Sequence, residues 1–182
     1  MSRYEERNAP TLVLTLPEDY RAEFTYRARA RTTHGVLVQL LAGARESLIL
    51  AAPYLGAGAL LDDKNLQAAL RGALERGVRI DLISTHQSLH GMDLRTVRAA
   101  GLGRLQVFQP RANQEVQGVL GSHAKFYVAD GKSAYLGSAN LTFLGLNQHL
   151  ELGLLLQDDI AREIMNLWHE LRTIGFFVPL ES

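Results

Sequence analysis

From Thr33 to Phe108 the chain alternates between stretches whose apolar residues recur every three or four positions and short runs of strand formers. That alternation limits the fold more than any other feature. Thr33 can cap a helix carrying Val36, Leu37, Leu40 and Leu41, and Ser47 to Tyr54, SLILAAPY, reads as a buried strand. After the loop Leu55 to Ala59, Asp62 or Asp63 can open a helix striped by Leu66, Ala69, Leu70, Ala73 and Leu74, and Gly77 ends it. The run RIDLIS within Val78 to Ser84 is another central strand, Leu94 to Ala100 a short helix, and Leu105 to Phe108 a further strand. Connections of this length suit right-handed crossovers, so the expected class is α/β, with a mixed, mostly parallel sheet and helices on both faces.

The flanks are read in the same way. Thr11 to Leu16 is β-branched and apolar, and Pro17 ends it as a short strand. Arginine then recurs at 21, 27, 29 and 31; an extended segment would put the last three on one side, as a solvated connector or as an edge that contacts phosphate. Gln109 to Gly121 is polar and without period, a loop placed to lie beside a site. Ser122 to Ala129 and Ser133 to Gly137 flank Asp130-Gly131, a strong hairpin signal. Glu151 to Leu156 follows as a buried strand. Asp158 and Asp159 can cap a last helix with Ile160, Ile164, Leu167, Trp168 and Leu171 on one face.

A chain of 182 residues with 47% hydrophobic content suits a single domain spanning 1–182. Lysine plus arginine and aspartate plus glutamate are both 19, so overall charge gives no sign of a partner, although a local basic patch can coexist with a neutral total. Cysteine is absent, which removes disulfides, thiol nucleophiles and thiolate metal sites. Met1 to Pro10 is polar with charges of both signs, unlike a signal peptide, and no apolar run approaches the roughly 20 residues that span a bilayer. A soluble, cytoplasmic protein is the expectation.

The chemistry is concentrated in one segment. His123 and Lys125 are two apart, so on an extended chain they project from the same face with Tyr127, while Ala124, Phe126 and Val128 pack into the core. A buried, unpaired lysine would be costly, which places His123 and Lys125 on an open cleft. Lysine supplies positive charge for a phosphate, and histidine a nucleophile or proton donor near neutral pH. Gly137-Ser138-Ala139-Asn140 leaves the neighbouring strand beside them, bringing a hydroxyl, an amide and backbone N–H groups suited to the equatorial oxygens of a phosphorane-like transition state. Glu151 is placed to accept a hydrogen bond from the histidine nitrogen that does not attack. Taken singly, each has an ordinary explanation: an exposed strand lysine, a turn aspartate at Asp130, loop caps at Ser138 and Asn140.

Together these residues read His-x-Lys-x4-Asp-x6-Gly-Ser-x-Asn, and the stretch resembles the HKD motif of the phospholipase D superfamily at every specified position. Asn147, Glu151 and the upstream Ala52-Pro53-Tyr54 extend the resemblance. It implies metal-independent phosphodiester transfer, without a cofactor, through a covalent phosphohistidine on His123. A second motif's histidine would protonate the leaving oxygen. Lys125 and Asn140 would hold the non-bridging oxygens, Ser138 would assist, and Asp130 would support rather than react.

A complete site of this kind uses two motifs, and no second copy occurs here. His86 and His90 lack the lysine, and His34, His149 and His169 have neither lysine nor the Gly-Ser-x-Asn register. A homodimer that joins two half-sites across a two-fold axis is the expected solution. Single-motif members resemble bacterial endonucleases, which makes nucleic acid the expected substrate and Arg27, Arg29, Arg31 and Arg111 candidate phosphate contacts. A narrower resemblance, in TLVLTLP followed by RTTHGVLVQLLAGARESLILAAPYL, is to the phospholipase D-like component of bacterial DISARM anti-phage systems, which implies a defence role with partner proteins. Two other classes remain open: a phosphatidyl-transferring lipase, marked by an apolar rim at the cleft, and a non-catalytic nucleic-acid-binding assembly module.

Overall fold

The computed structural model describes residues 9–56, 63–85, 88–89, 103–111 and 121–180. Nine strands form one sheet in the order β2-β1-β8-β7-β6-β3-β4-β5-β9. The strands are β1 (Thr11–Thr15), β2 (Arg31–Thr32), β3 (Ser47–Ala51), β4 (Arg79–Ile83), β5 (Leu105–Pro110), β6 (Phe126–Ala129), β7 (Ser133–Gly137), β8 (Glu151–Gln157) and β9 (Phe177–Pro179). The helices are α1 (Glu18–Arg27), α2 (Thr33–Gly43), α3 (Lys64–Glu75), α4 (Phe143–Asn147) and α5 (Asp158–Thr173).

The α/β class and the mixed sheet are as expected, but the sheet is not mostly parallel. Among the named strands, parallel pairing is limited to β1–β2, β3–β4 and β4–β5, while five of the eight strand pairings are antiparallel. The reason is the hairpin: once Asp130-Gly131 reverses the chain, β6, β7 and β8 run as a meander against β3 and β1. Both turn residues have positive φ, 55° at Asp130 and 62° at Gly131, the type I′ geometry that an Asp-Gly pair favours.

Both faces of the sheet centre are covered. Leu48 and Leu50 of β3 face α2 and α3, packing with Val36, Leu37, Leu40, Leu66 and Leu70. Ile49 and Ala51 face the other way, with Phe126, Val128, Phe108 and Trp168. Trp168 anchors α5 by donating its indole N–H to Asp81 at 2.8 Å, and the Arg172 guanidinium shares that carboxylate at 3.2 Å.

Several expected details shift. Thr32, not Thr33, caps α2 by accepting from the Gly35 N–H, which frees Thr33 for the interior. Asp63 caps α3 through Asn65 and Leu66, and Gly77 follows that helix with φ +86°. Neither Asp158 nor Asp159 caps α5: Gln157 holds the N-cap position without a side-chain capping bond, its Oε1 accepting instead from Ser133 Oγ at 2.7 Å, and the two acids sit in the first turn, where the helix dipole favours them. The buried stripe of α5 runs through Ala161, Ile164, Met165, Trp168 and Leu171, so Ile160 and Leu167 face solvent. Arg21 to Arg31 is not extended, because α1 takes up most of it and Arg29 turns at φ 50°. Gln109 and Pro110 complete β5 against β9 rather than entering a loop. The expected helix Leu94 to Ala100 and loop residues 112–120 lie outside the described residues.

Gly137 and Gly153 are cross-strand partners, and the ring of Tyr135 passes over them. A Cβ on Gly153 would lie 2.5 Å from Tyr135 Cε2 and 2.7 Å from Cζ. Gly153→Ala is therefore expected to lose roughly 1–3 kcal/mol in urea melts, because an aromatic ring locked in the core cannot yield.

Candidate active site

The site forms at one end of the sheet, where β3 and β4 finish, β6 begins, β7 ends and β8 starts. Ligands of α/β sheets gather outside such carboxyl ends. The segment Ser122 to Lys125 leads into β6 rather than belonging to it, since ladder pairing starts at Phe126. Ala124 is exposed there, not packed in the core as strand alternation had suggested.

His123 is exposed and Lys125 lies behind it, 5% accessible. The lysine is thus mostly buried behind the histidine rather than open to solvent. What makes burial tolerable is local: Lys125 Nζ donates to the His123 carbonyl at 2.9 Å and stands 3.0 and 3.1 Å from the two ring nitrogens. Desolvation pulls its pKa below the ordinary lysine value, and the negative charge of Glu151 opposes that fall.

Glu151 does not meet His123 within one chain. Its carboxylate accepts from Ser138 Oγ at 2.5 Å, and its other oxygen lies 3.9 Å from His149 Nδ1. Ser138 is held on every side: its N–H donates to the Leu152 carbonyl, and its Oγ accepts from the Leu152 N–H at 3.0 Å. Asn140 differs. Its Oδ1 is buried and has no hydrogen-bond partner among the described residues, an unmet acceptor two residues from Ser138.

Asp130 sits at the far end of β6 from Lys125. Its carboxylate accepts three backbone N–H groups, from Glu46 at 2.8 Å, Ser47 at 2.9 Å and Arg45 at 2.9 Å. Burial opposes its ionisation, but those three donors outweigh burial and hold the carboxyl below the usual aspartate value. Its bonds tie the β6–β7 turn to the α2–β3 connection, a structural position away from the end of the sheet that carries Lys125.

The four arginines do not form one patch. Arg27 is paired with Glu23 at 2.6 Å, Arg29 lines the groove between α1 and β2 with it, and Arg31 bonds Gln39 of α2. Arg111 follows β5, next to the opposite edge of the sheet from β2, roughly 30 Å away at the usual strand spacing. Sequence spacing could not show that seven strand steps separate them.

Sequence reasoning missed the surroundings of the site. Thr15, Thr33 and Tyr135 form a buried polar line beneath it, and His149 stands at its mouth. Leu12, Leu136, Leu152 and Leu154, 39% to 54% exposed, form a bare apolar sheet face that adjoins Ser138 and Glu151; Phe143, Leu144 and Leu150 are exposed nearby in sequence. Period-two reading of β7 and β8 exposes the leucine pattern, but not that α5 stops short of these leucines and leaves them 39% to 54% exposed.

Residues 37–172 match the family model described as cardiolipin synthase, PLD-like domain. A mouse protein named 5'-3' exonuclease PLD4 is 28% identical over 90% of the chain, and phospholipase D Z of Dictyostelium discoideum is 35% identical over 70% of it. The chain spans about a third of the length of these relatives, 35% and 32%. Among solved structures, the phospholipase D family member Nuc from Salmonella typhimurium aligns over 96% of this chain and all of its own, with TM-score 0.63 and 14% identity. NucT from Helicobacter pylori aligns over 94% of this chain and all of its own, with TM-score 0.65 and 16% identity. With a family model covering most of the sheet and the residues of the site, the chain belongs to the phospholipase D-like family.

Proposed function

We propose that the protein is a metal-independent phosphodiesterase acting on nucleic acid, with its site completed by a second copy of the chain. The observation that carries this reading is the gathering of an exposed His123 and a buried Lys125 against its ring at the end of the sheet where Ser138 and Asn140 leave β7. In the proposed reaction a His123 nitrogen attacks phosphorus, a P–N bond forms and the ester P–O bond breaks. The leaving oxygen takes a proton from the partner subunit's His123. Water then attacks phosphorus, the P–N bond breaks, and the water proton returns to that second imidazole. Lys125 and the Nδ2–H donors of Asn140 contact the non-bridging oxygens, and Glu151 orients Ser138.

The 28% identity to a protein named as an exonuclease supports a nucleic-acid substrate. The bare leucine face beside the half-site supports the dimer, because an apolar sheet surface of this kind gains from being covered. Cleavage of single-stranded oligonucleotide is expected to persist in excess EDTA and to sediment with a dimer. Leu154→Glu is expected to shift the protein to monomer and remove the activity. Cleavage that stops in EDTA, or a fully active monomer, would sink the reading.

One observation favours a second reading. Phe143, Leu144, Leu150 and Leu152 supply the apolar rim expected of a phosphatidyl-transferring enzyme, and the matched family description names cardiolipin synthase. No helix among the described residues is long and apolar enough to cross a membrane, so such an enzyme would meet lipid through that rim. Phosphatidyl transfer from detergent-dispersed phosphatidylglycerol, with no cleavage of oligonucleotide, would replace the nuclease reading. A defence role for the nuclease, suggested by the narrower resemblance, predicts that His123→Ala abolishes protection in phage plating with the neighbouring genes present.

A further inference from the structure

Ala139 lies between Ser138 and Asn140 and is fully buried, so its N–H and C=O must find partners inside the protein. Both partners are phenols. Tyr127 Oη donates to the Ala139 carbonyl at 2.7 Å, and the Ala139 N–H donates to Tyr135 Oη at 3.2 Å. The two tyrosines are cross-strand partners on β6 and β7, with rings stacked 5.0 Å apart and 14° from parallel. Tyr127 follows Lys125 by two residues, and Tyr135 precedes Ser138 by three. Each is therefore joined through a few backbone bonds to one site residue and hydrogen-bonded to the residue between Ser138 and Asn140.

Further contacts fix the pair. Thr33 hydrogen-bonds the Tyr135 phenol, and Thr15 Oγ1 donates to Thr33 Oγ1 at 2.8 Å, linking β1 and α2 to β7. Gly137 and Gly153 clear the path of Tyr135, since a Cβ at either would strike it. The geometry points to Tyr127 and Tyr135 as positioning residues: their hydroxyls set the Ala139 peptide and thereby the places of Ser138 and Asn140 relative to Lys125. This rests on the phosphodiesterase reading above. Burial raises both phenols above the ordinary tyrosine value, Tyr127 well above, so they stay protonated across neutral pH.

The test uses Tyr127→Phe and Tyr135→Phe in the full chain, which keep the stacked rings and remove the hydroxyls. Turnover of single-stranded oligonucleotide is measured below each variant's melting range and corrected for folded fraction. Expected is a fall in kcat of roughly 10- to 100-fold with a rise in KM of no more than about tenfold, the pattern of displaced contacts that act in both the bound and the transition state. Wild-type kcat in both variants, with a lowered melting temperature, would reduce the tyrosines to core packing and overturn the proposal.

A second readout does not depend on turnover. Titration of inorganic phosphate, followed on the Asn140 side-chain amide in ¹H–¹⁵N spectra, is expected to show about tenfold weaker binding in each variant. If wild-type protein binds phosphate but cleaves no ester, the phosphodiesterase reading fails, and equal or weaker phosphate binding by the variants decides the positioning role against or for it. If wild-type protein neither cleaves nor binds phosphate, both fall together.

Discussion

His123→Ala is expected to lower phosphodiester cleavage by about 10⁴-fold or more, because removal of a covalent nucleophile leaves the remaining contacts nothing to act through. The imidazole is exposed and has the Lys125 ammonium as its polar side-chain neighbour, so the alanine variant should fold normally. Quenched-flow or gel assays in EDTA check the loss, and circular dichroism checks the fold. Lys125→Met, which keeps the buried stem and deletes the charge, is expected to lose roughly 10²- to 10³-fold, the scale of one preorganised electrostatic contact. Because Lys125 is desolvated, it carries a lowered pKa, a fall that the charge of Glu151 opposes. A phosphodiester anion placed against it would draw that pKa back up. Substrate affinity should therefore weaken as pH rises through the alkaline range in wild-type protein, and this alkaline loss should disappear in Lys125→Met. An unchanged alkaline limb in the variant would remove Lys125 from phosphate contact.

The second large effect falls on stability, far from the chemistry. Asp130→Ala leaves three backbone N–H groups without their carboxylate, and a loss of about 2–4 kcal/mol in unfolding free energy is expected. The pH dependence has a definite sign. Asp130 has a folded-state pKa below its unfolded value, so its stabilisation is fully present above about pH 4, the unfolded range. It is lost as pH falls through the lower folded value, because the unfolded chain then binds the extra proton. Urea melts of wild-type protein and Asp130→Asn should differ by a constant amount near neutral pH and converge below about pH 4. A gap that stays constant in acid would mean that the carboxylate charge contributes nothing. Since Asp130 lies at the opposite end of β6 from Lys125, kcat of the folded Asp130→Asn fraction should remain near wild type.

Much of this was legible because local rules decide it. The β3-α3-β4 alternation, the stop at Gly77 and the Asp130-Gly131 turn follow from periodicity and backbone preference, and all are present. The site segment was legible as residue types at fixed spacing. What spacing could not give was depth. Lys125 looked like a cleft residue because an isolated buried ammonium is costly, yet the His123 carbonyl and Glu151 make its burial tolerable. Glu151 seemed placed for His123, but Ser138 from the adjacent strand end reaches it first. The arginines at 27, 29 and 31 suggested one charged edge, whereas a helix over Glu18–Arg27 and ties to Glu23 and Gln39 disperse them. Each miss arises where a contact across the sheet overrides a pattern along the chain.

The bare leucine face has a consequence for dose. On the proposed dimer, a lone chain holds half of the chemistry and an uncovered apolar surface, so below the dissociation constant the rate grows with the square of chain concentration, and melting temperature rises with concentration as well. A cell making few copies would hold an enzyme that is both idle and easily degraded. A burst of synthesis would make it active and durable together, so abundance itself becomes the control.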